Sequence, residues 1–386
     1  MKQKLKILHY MPVYAPAWQF GGPVKSVSQL CEGLVQQGHE VEVFTSNAGL
    51  SSFSELPLNQ AVMRNGVRVN YFAQTPGFGI ACPGMESAVR RRAKEFDIIH
   101  ITGVWQRTSF AACQAAKSNG IPYVVSPRGA LGPYSWQQKR VKKTIYYWLK
   151  ERFNVKNALG IHYTTEQEKD ECGHLKLPGK PFVIPNGFDF ENWLPNSEKA
   201  SQWREEHGFN SDSFLMLNVG RLHHKKGLDL LPIALAPLRG LNWRLVFVGN
   251  CEDDTKTRLN ENFKTYGLLE HVRFLDLEKP EKLPAIYSAA NLFLLPSRHE
   301  NFGNVVVEAL ACCCPVMISA EVGLHREVET AGVGWVVPRV AKDWTNRIDE
   351  LIQNKTGITE VRLRTRKWAE QVFSYQKTAF QMANQY

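Results

Sequence analysis

No apolar run in this chain of 386 residues is long enough to cross a bilayer, which takes about 18–20 residues. The apolar part of the opening segment, Met1-Lys-Gln-Lys-Leu-Lys-Ile-Leu-His-Tyr, is short and soon interrupted, so it is expected to be the first buried strand rather than a secretory leader. The eight cysteines show no paired metal-ligand spacing. Cys312-Cys313-Cys314 is expected to continue a helix as small apolar residues. Nothing asks for disulfides, which points to a reducing cytoplasm. A Gly-x4-Gly-Lys-Ser/Thr phosphate loop is missing, and Gly77-Phe78-Gly79 is not followed by the further glycine of a dinucleotide fingerprint. There is no internal repeat and no low-complexity tract.

What is present fits a globular protein of two domains. The length exceeds one ordinary core, and 44% hydrophobic with 22% charged residues is usual for a soluble chain. The net charge of +10 is uneven: residues 1–195 hold 23 Lys and Arg against 14 Asp and Glu, whereas residues 196–386 hold 24 against 23. A basic first half suits an anionic partner, a phosphate-bearing substrate or a membrane surface, or else is a generally basic, inert surface. No nucleic-acid motif accompanies the charge, so nucleic acid is not an expected partner.

Short Val-, Ile- and Tyr-rich runs read as strands at 6–11, 41–45, 67–73, 97–102, 122–126, 160–164 and 182–185. Stretches with helical spacing separate them, such as Val24, Val27, Leu30 and Leu34. A second series follows at 214–219, 243–248, 272–275, 292–296, 315–319 and 334–337. Alternation of this kind predicts α/β architecture, two Rossmann-like, doubly wound domains in tandem. Pro195, Asn196, Ser197 and Ser201 break the pattern and mark 190–212 as the candidate linker. The boundaries expected are 1–192, 193–365 and a helical tail, 366–386.

Two stretches of the second half carry the chemistry. Arg298-His-Glu-Asn-Phe-Gly-Asn-Val-Val-Val-Glu308 follows a buried strand and turns into a helix. Loops after parallel strands bind ligands in open α/β sheets, and free N–H groups at a helix start suit anionic or hydroxyl-rich groups. Glu300 and Glu308 flank the turn, and a carboxylate accepts from two adjacent sugar hydroxyls. Asn218-Val-Gly-Arg-Leu-His-His-Lys-Lys-Gly227 follows the domain's first strand. There Gly220 permits a tight turn, and Arg221 with Lys226 forms a cationic pair suited to a diphosphate.

Glu300-x7-Glu308 with Phe302-Gly303 between, and Gly220-Arg221-Leu222 with Lys226-Gly227, resemble the motifs of retaining, family 4 nucleotide-sugar glycosyltransferases. That resemblance implies the GT-B fold, two Rossmann-like domains facing each other across a cleft, with the tail returning to the first domain. It implies a donor held by Gly22, Arg128, Gly220, Arg221, Lys226, Glu300, Asn301, Phe302, Gly303, Asn304 and Glu308. Catalysis would fall to Arg221, Lys226 and Glu300, by front-face substitution at the sugar and with no metal or other cofactor. UDP-glucose is the first choice of donor and GDP-mannose the second. The acceptor would be a saccharide or a lipid-linked saccharide, in polysaccharide biosynthesis at or near the inner face of the membrane.

Several readings of the residues remain open. Gly21-Gly22-Pro23 is a turn or lies beside donor or acceptor, and Val183-Ile-Pro-Asn-Gly-Phe-Asp189 mainly closes the first domain. His100 and Trp105 follow a strand and are candidates for the acceptor side, although His100 equally suits a core position. Many relatives have histidine where Arg128 stands, so Arg128 is assigned to donor or to an anionic acceptor group. In Gln138–Arg152 the stripe Val141, Ile145, Trp148 and Leu149 is expected to pack on its own domain, with an anionic lipid surface as the alternative. Glu252-Asp253-Asp254 reads as a helix start rather than a metal site. The rivals to transfer are a nucleotide-sugar epimerase or hydrolase of the same architecture, and a silent nucleotide-sugar-binding subunit.

Overall fold

The protein, here a computed structural model, is described over residues 4–50, 56–75, 81–251 and 253–386. Gly77, Gly79 and Glu252 therefore lie outside the described residues. The chain forms two compact units, one of residues up to Phe188 together with Phe373–Tyr386, the other Asp189–Val372.

The first unit is built on eight strands: β1 (Lys6–Tyr10), β2 (Glu40–Ser46), β3 (Ala61–Arg64), β4 (Val67–Phe72), β5 (Ile98–Thr102), β6 (Tyr123–Ser126), β7 (Gly160–Tyr163) and β8 (Lys180–Val183). Their order is β3-β4-β2-β1-β5-β6-β7-β8. All neighbours are parallel except β3, which pairs antiparallel with β4. The nearly unbroken burial of β1 and β5 is what a sheet covered on both faces requires. The chain builds outward from β1 in one direction and then returns through β5 in the other, so a topological switch point falls between β1 and β5.

Strand β3 was not anticipated. It is only four residues long, Ala61 and Met63 are exposed, and its sequence shows no clear apolar–polar alternation. Its signal is the pair Asn65-Gly66, which joins Arg64 to its partner Val67 through a two-residue turn with both central residues at positive φ.

The second unit holds β9 (Phe214–Val219), β10 (Trp243–Val248), β11 (Val272–Leu275), β12 (Leu292–Leu295), β13 (Val316–Ile318) and β14 (Gly334–Val336). All pair in parallel in the order β11-β10-β9-β12-β13-β14. This is the doubly wound dinucleotide-fold order, with its switch point between β9 and β12. Trp243, Phe247, Phe263 and Trp344 lie in its core, fully buried.

Three expectations are corrected. Residues 190–212 are no linker: Asn196 accepts from the Lys199 N–H at 2.8 Å and caps the helix Ser197–Glu206, which packs on the helix Leu283–Ala289 of the second unit. The polar residues there were cap signals. The cysteine triplet does not prolong its helix, which ends at Ala311; Cys313 takes a left-handed conformation before Pro315. Nor is the tail one helix. Lys355–Phe373 and Tyr375–Ala383 are separated by Ser374, which caps the second. That second helix lies against Gly22–Gln36, so closely that a Cβ on Gly33 would meet Ala379 Cβ at 2.8 Å.

Candidate functional site

The two loops that leave β9 and β12 flank the switch point of the second sheet, and side chains tie them together. Arg298 N–H donates to Lys225 O at 2.7 Å, and the Arg298 guanidinium pairs with Asp229 at 2.5 Å. Lys226 Nζ lies 2.7 Å from Glu300 Oε2. Gly227 makes the approach possible: its φ is +61°, and a Cβ there would lie 2.1 Å from Pro296 O. Arg221 is exposed just after Gly220, and among the described residues no carboxylate pairs with it. Arg221 and Lys226 thus stand on the same loop as donors for anionic oxygen.

Glu300 is fixed through its backbone. Its N–H donates to Glu321 O at 3.0 Å and its carbonyl accepts from Gly323 N–H at 2.8 Å, so the loop after β13 holds it. Asn301 follows, then Phe302, which is buried. Gly303, at φ +92°, turns the chain into the helix Asn304–Ala311 and offers no side chain to cap its first N–H groups. Glu308 lies in the second turn of that helix. It is largely buried, and its Oε2 accepts a 3.0 Å hydrogen bond from the Tyr287 hydroxyl. Tyr287 sits in the helix Leu283–Ala289, fully enclosed, and burial together with Glu308 pushes its pKa well above the ordinary value. Its role beside Glu308 was missed because Leu283, Ile286 and Tyr287 read as an apolar stripe. The hydroxyl was the available signal, since a buried Tyr O–H needs a partner.

The first unit holds the other candidates at the carboxyl ends of its strands. Gly21, at φ +83°, and Gly22 start the helix after β1. Arg128, at φ +55°, follows β6 and donates to Asn186 Oδ1. Part of its surface is accessible, yet desolvation holds its pKa down to about 10 against the opposing attraction of Glu168. Trp105 is committed to structure: its Nε1–H donates to Ala130 O at 2.8 Å, its backbone N–H to Glu151 at 3.1 Å, and its ring packs on Trp136.

His100 leaves the acceptor set. It is fully buried, stacks on His9 at 4.8 Å, meets His162 edge-on at 5.4 Å and shares a 2.6 Å hydrogen bond with the Tyr386 hydroxyl. Desolvation drives its pKa well below the ordinary histidine value, so it is held neutral as a core residue.

The stripe Val141, Ile145, Trp148 and Leu149 does not pack on its own domain. All four side chains are more than half exposed. The inward face of that segment is Tyr147, Glu151, Asn154 and Val155. Apolar spacing alone does not say which face is buried, and here the aromatic and polar residues won the inner position. At the acidic helix start, Asp253 accepts from Thr255 N–H at 2.9 Å, an Asx turn one residue ahead of the N-cap position Asp254, and the two hydrogen bonds to Thr255 hold its pKa down at about 2.

Comparison with known proteins covers both units. The family described as Glycosyl transferases group 1 matches residues 199–372, and the Glycosyl transferase 4-like domain matches residues 21–187. An uncharacterized glycosyltransferase of Methanocaldococcus jannaschii is 27% identical over 368 residues, spanning 86% of this chain and 90% of that protein. The D-inositol 3-phosphate glycosyltransferase of Gordonia bronchialis is 26% identical over 411 residues, 98% of this chain and 86% of its own. Among solved structures, Anabaena HepE in complex with UDP and glucose superposes with a TM-score of 0.74 at 20% identity, covering 98% of both chains. Sucrose-phosphate synthase from Thermosynechococcus elongatus gives 0.78 at 21% identity, again over 98% of both. At these identities the structural likenesses show a shared fold.

Proposed function

The chain belongs to the group 1 glycosyl transferases and has their GT-B fold, and on that premise we propose that it moves a hexose from a nucleoside diphosphate sugar to a saccharide or lipid-linked saccharide with retention of configuration. The observation that carries this reading is the pairing of Lys226 with Glu300 across the switch point, with Arg221 on the same loop. The cations suit the diphosphate. Glu300 suits hydroxyls of the hexose, and Glu308 those of the ribose.

Arg221 and Lys226 stabilise the charge that grows on the departing diphosphate, the preorganised electrostatics that dominate such steps. With Arg221 and Lys226 on one loop to meet the charge of the leaving group, transfer is expected to need no divalent metal. The acceptor hydroxyl attacks from the face the diphosphate leaves, and a departing phosphate oxygen takes its proton. Asn301, Phe302, Gly303 and Asn304 shape the donor pocket through their backbone. Gly21, Gly22 and Arg128 serve the first domain's share of the substrates.

UDP-glucose is the donor we favour; HepE, a protein of the same fold, was solved with UDP and glucose. GDP-mannose is the second choice. The work fits polysaccharide assembly at the cytoplasmic face of a membrane.

The test is nucleoside diphosphate release from UDP-glucose and from GDP-mannose, with EDTA and with candidate saccharide acceptors. Acceptor-dependent release that survives EDTA supports transfer. Release that no acceptor accelerates favours a hydrolase, isomerised donor without release favours an epimerase, and no turnover by folded protein favours a binding subunit.

A further inference from the structure

The segment from Lys139 to Lys156 presents charge and apolar surface on the same side. Val141 is 74% exposed, Ile145 56%, Trp148 56%, Leu149 68% and Phe153 51%. Monomeric soluble proteins rarely leave so many large apolar side chains contiguous and bare unless the surface meets a partner. Around them Lys139, Arg140, Lys142, Lys150, Arg152 and Lys156 are also exposed. The one carboxylate of the segment, Glu151, is turned inward and buried. No Asp or Glu occurs between Asp97 and Glu151, so the charge this stretch carries in sequence is almost wholly cationic.

The inward face is firmly seated, which makes the outward face a fixed surface. Tyr147 and Trp136 pack edge-on at 5.3 Å. Trp105 N–H binds Glu151, and Tyr123 O–H donates to Asn154 O at 2.6 Å. Outside, the Arg152 guanidinium lies over the Trp148 ring, 4.7 Å from its centroid. Long basic side chains beside a tryptophan and aliphatic residues match a bilayer interface, where apolar groups enter the acyl boundary and cations reach the headgroups. A nucleic-acid groove offers nothing to Val141, Ile145 and Leu149.

We propose that this face, Val141, Ile145, Trp148, Leu149 and Phe153 within their ring of Lys and Arg, is a docking surface for a bilayer carrying anionic lipid. Docking holds the first domain at the plane in which a lipid-linked acceptor would lie. The proposal does not depend on the donor assignment, because vesicle binding is read without turnover.

The test is sedimentation of the full chain with vesicles of phosphatidylcholine containing phosphatidylglycerol, against vesicles of phosphatidylcholine alone. The protein is expected to partition onto the anionic vesicles, and less so as salt rises. The exposed double variant Trp148→Ser, Leu149→Ser is expected to lower partitioning at least about tenfold. Each reversal, Lys142→Glu or Lys150→Glu, lowers it about fivefold or more. Circular dichroism and nucleotide binding stay as in the parent, since these side chains are outside the core and the donor site. Equal partition onto neutral vesicles, no partition by folded protein, or partition untouched by the double variant overturns the proposal. So does a dimer that the double variant dissociates while vesicle binding persists.

Discussion

Lys226 Nζ stands 2.7 Å from Glu300 Oε2, joining the loop after β9 to the loop after β12, with both side chains still partly open to solvent. The two have different substrates in view, the diphosphate for Lys226 and the hexose for Glu300. Each neutralises the other until sugar and phosphate take their places. Glu300→Gln keeps the shape and removes the carboxylate charge. Nucleoside diphosphate affinity is expected to hold or tighten about two- to threefold as Lys226 loses a competing anion, while turnover falls at least about a hundredfold. A loss of nucleotide affinity in parallel with turnover contradicts the division of roles.

Arg221→Ala removes one fixed donor from the leaving group. Turnover is expected to fall by about 10²–10³ with the fold intact. Steady-state kinetics on protein of unchanged melting temperature checks this, and near-normal turnover contradicts it.

Tyr287→Phe deletes the 3.0 Å hydrogen bond to Glu308 and nothing else in volume terms. Glu308 then loses one of the groups that hold its orientation. Nucleoside diphosphate binding is expected to weaken about three- to tenfold, with kcat at saturating donor little changed. A fall in kcat without a change in affinity contradicts a positioning role at the ribose.

Stability and pH are linked in opposite senses by two sets of buried groups in the first domain. Burial, reinforced by Arg128, lowers the pKa of His9 and of His162 from 6.5 to about 3. The unfolded chain protonates below 6.5 and the folded one does not, so stability is full above 6.5 and falls toward pH 3. Burial raises Glu151 from 4.5 to about 7, with the Trp105 N–H bond opposing. There the folded state keeps a proton the unfolded chain releases, so stability is full below 4.5 and is lost as pH rises through 7. Glu151→Gln is expected to remove that alkaline loss, stabilising the protein at pH 8 by up to about 3 kcal/mol and by less than about 1 kcal/mol at pH 5. Urea unfolding at both values decides it; equal effects at the two contradict the account.

The sequence made the strands legible because buried parallel strands are written as continuous apolar runs, as in Phe214–Val219 and Leu292–Leu295. The placement of Arg221, Lys226 and Glu300 on the loops after β9 and β12 was legible too, since a strand followed by glycine and charge marks a loop at the carboxyl edge of the sheet. What was hidden depends on distance along the chain. Nothing local tells that Tyr287 reaches Glu308, or that Tyr386 caps the stack of His9 and His100, because those partners meet only when helices fold back on the sheets. The outward turn of Val141, Ile145, Trp148 and Leu149 was hidden for another reason. Periodicity shows that a helix has two faces, while the choice between them depends on what Glu151 and Tyr147 find inside.

The central claim is a nucleoside diphosphate site built on Arg221 and Lys226, and calorimetric titration with UDP and with GDP tests it most directly. UDP is expected to bind with an affinity that EDTA leaves unchanged and that Arg221→Ala weakens about tenfold or more. Binding of neither nucleotide by folded protein would contradict it.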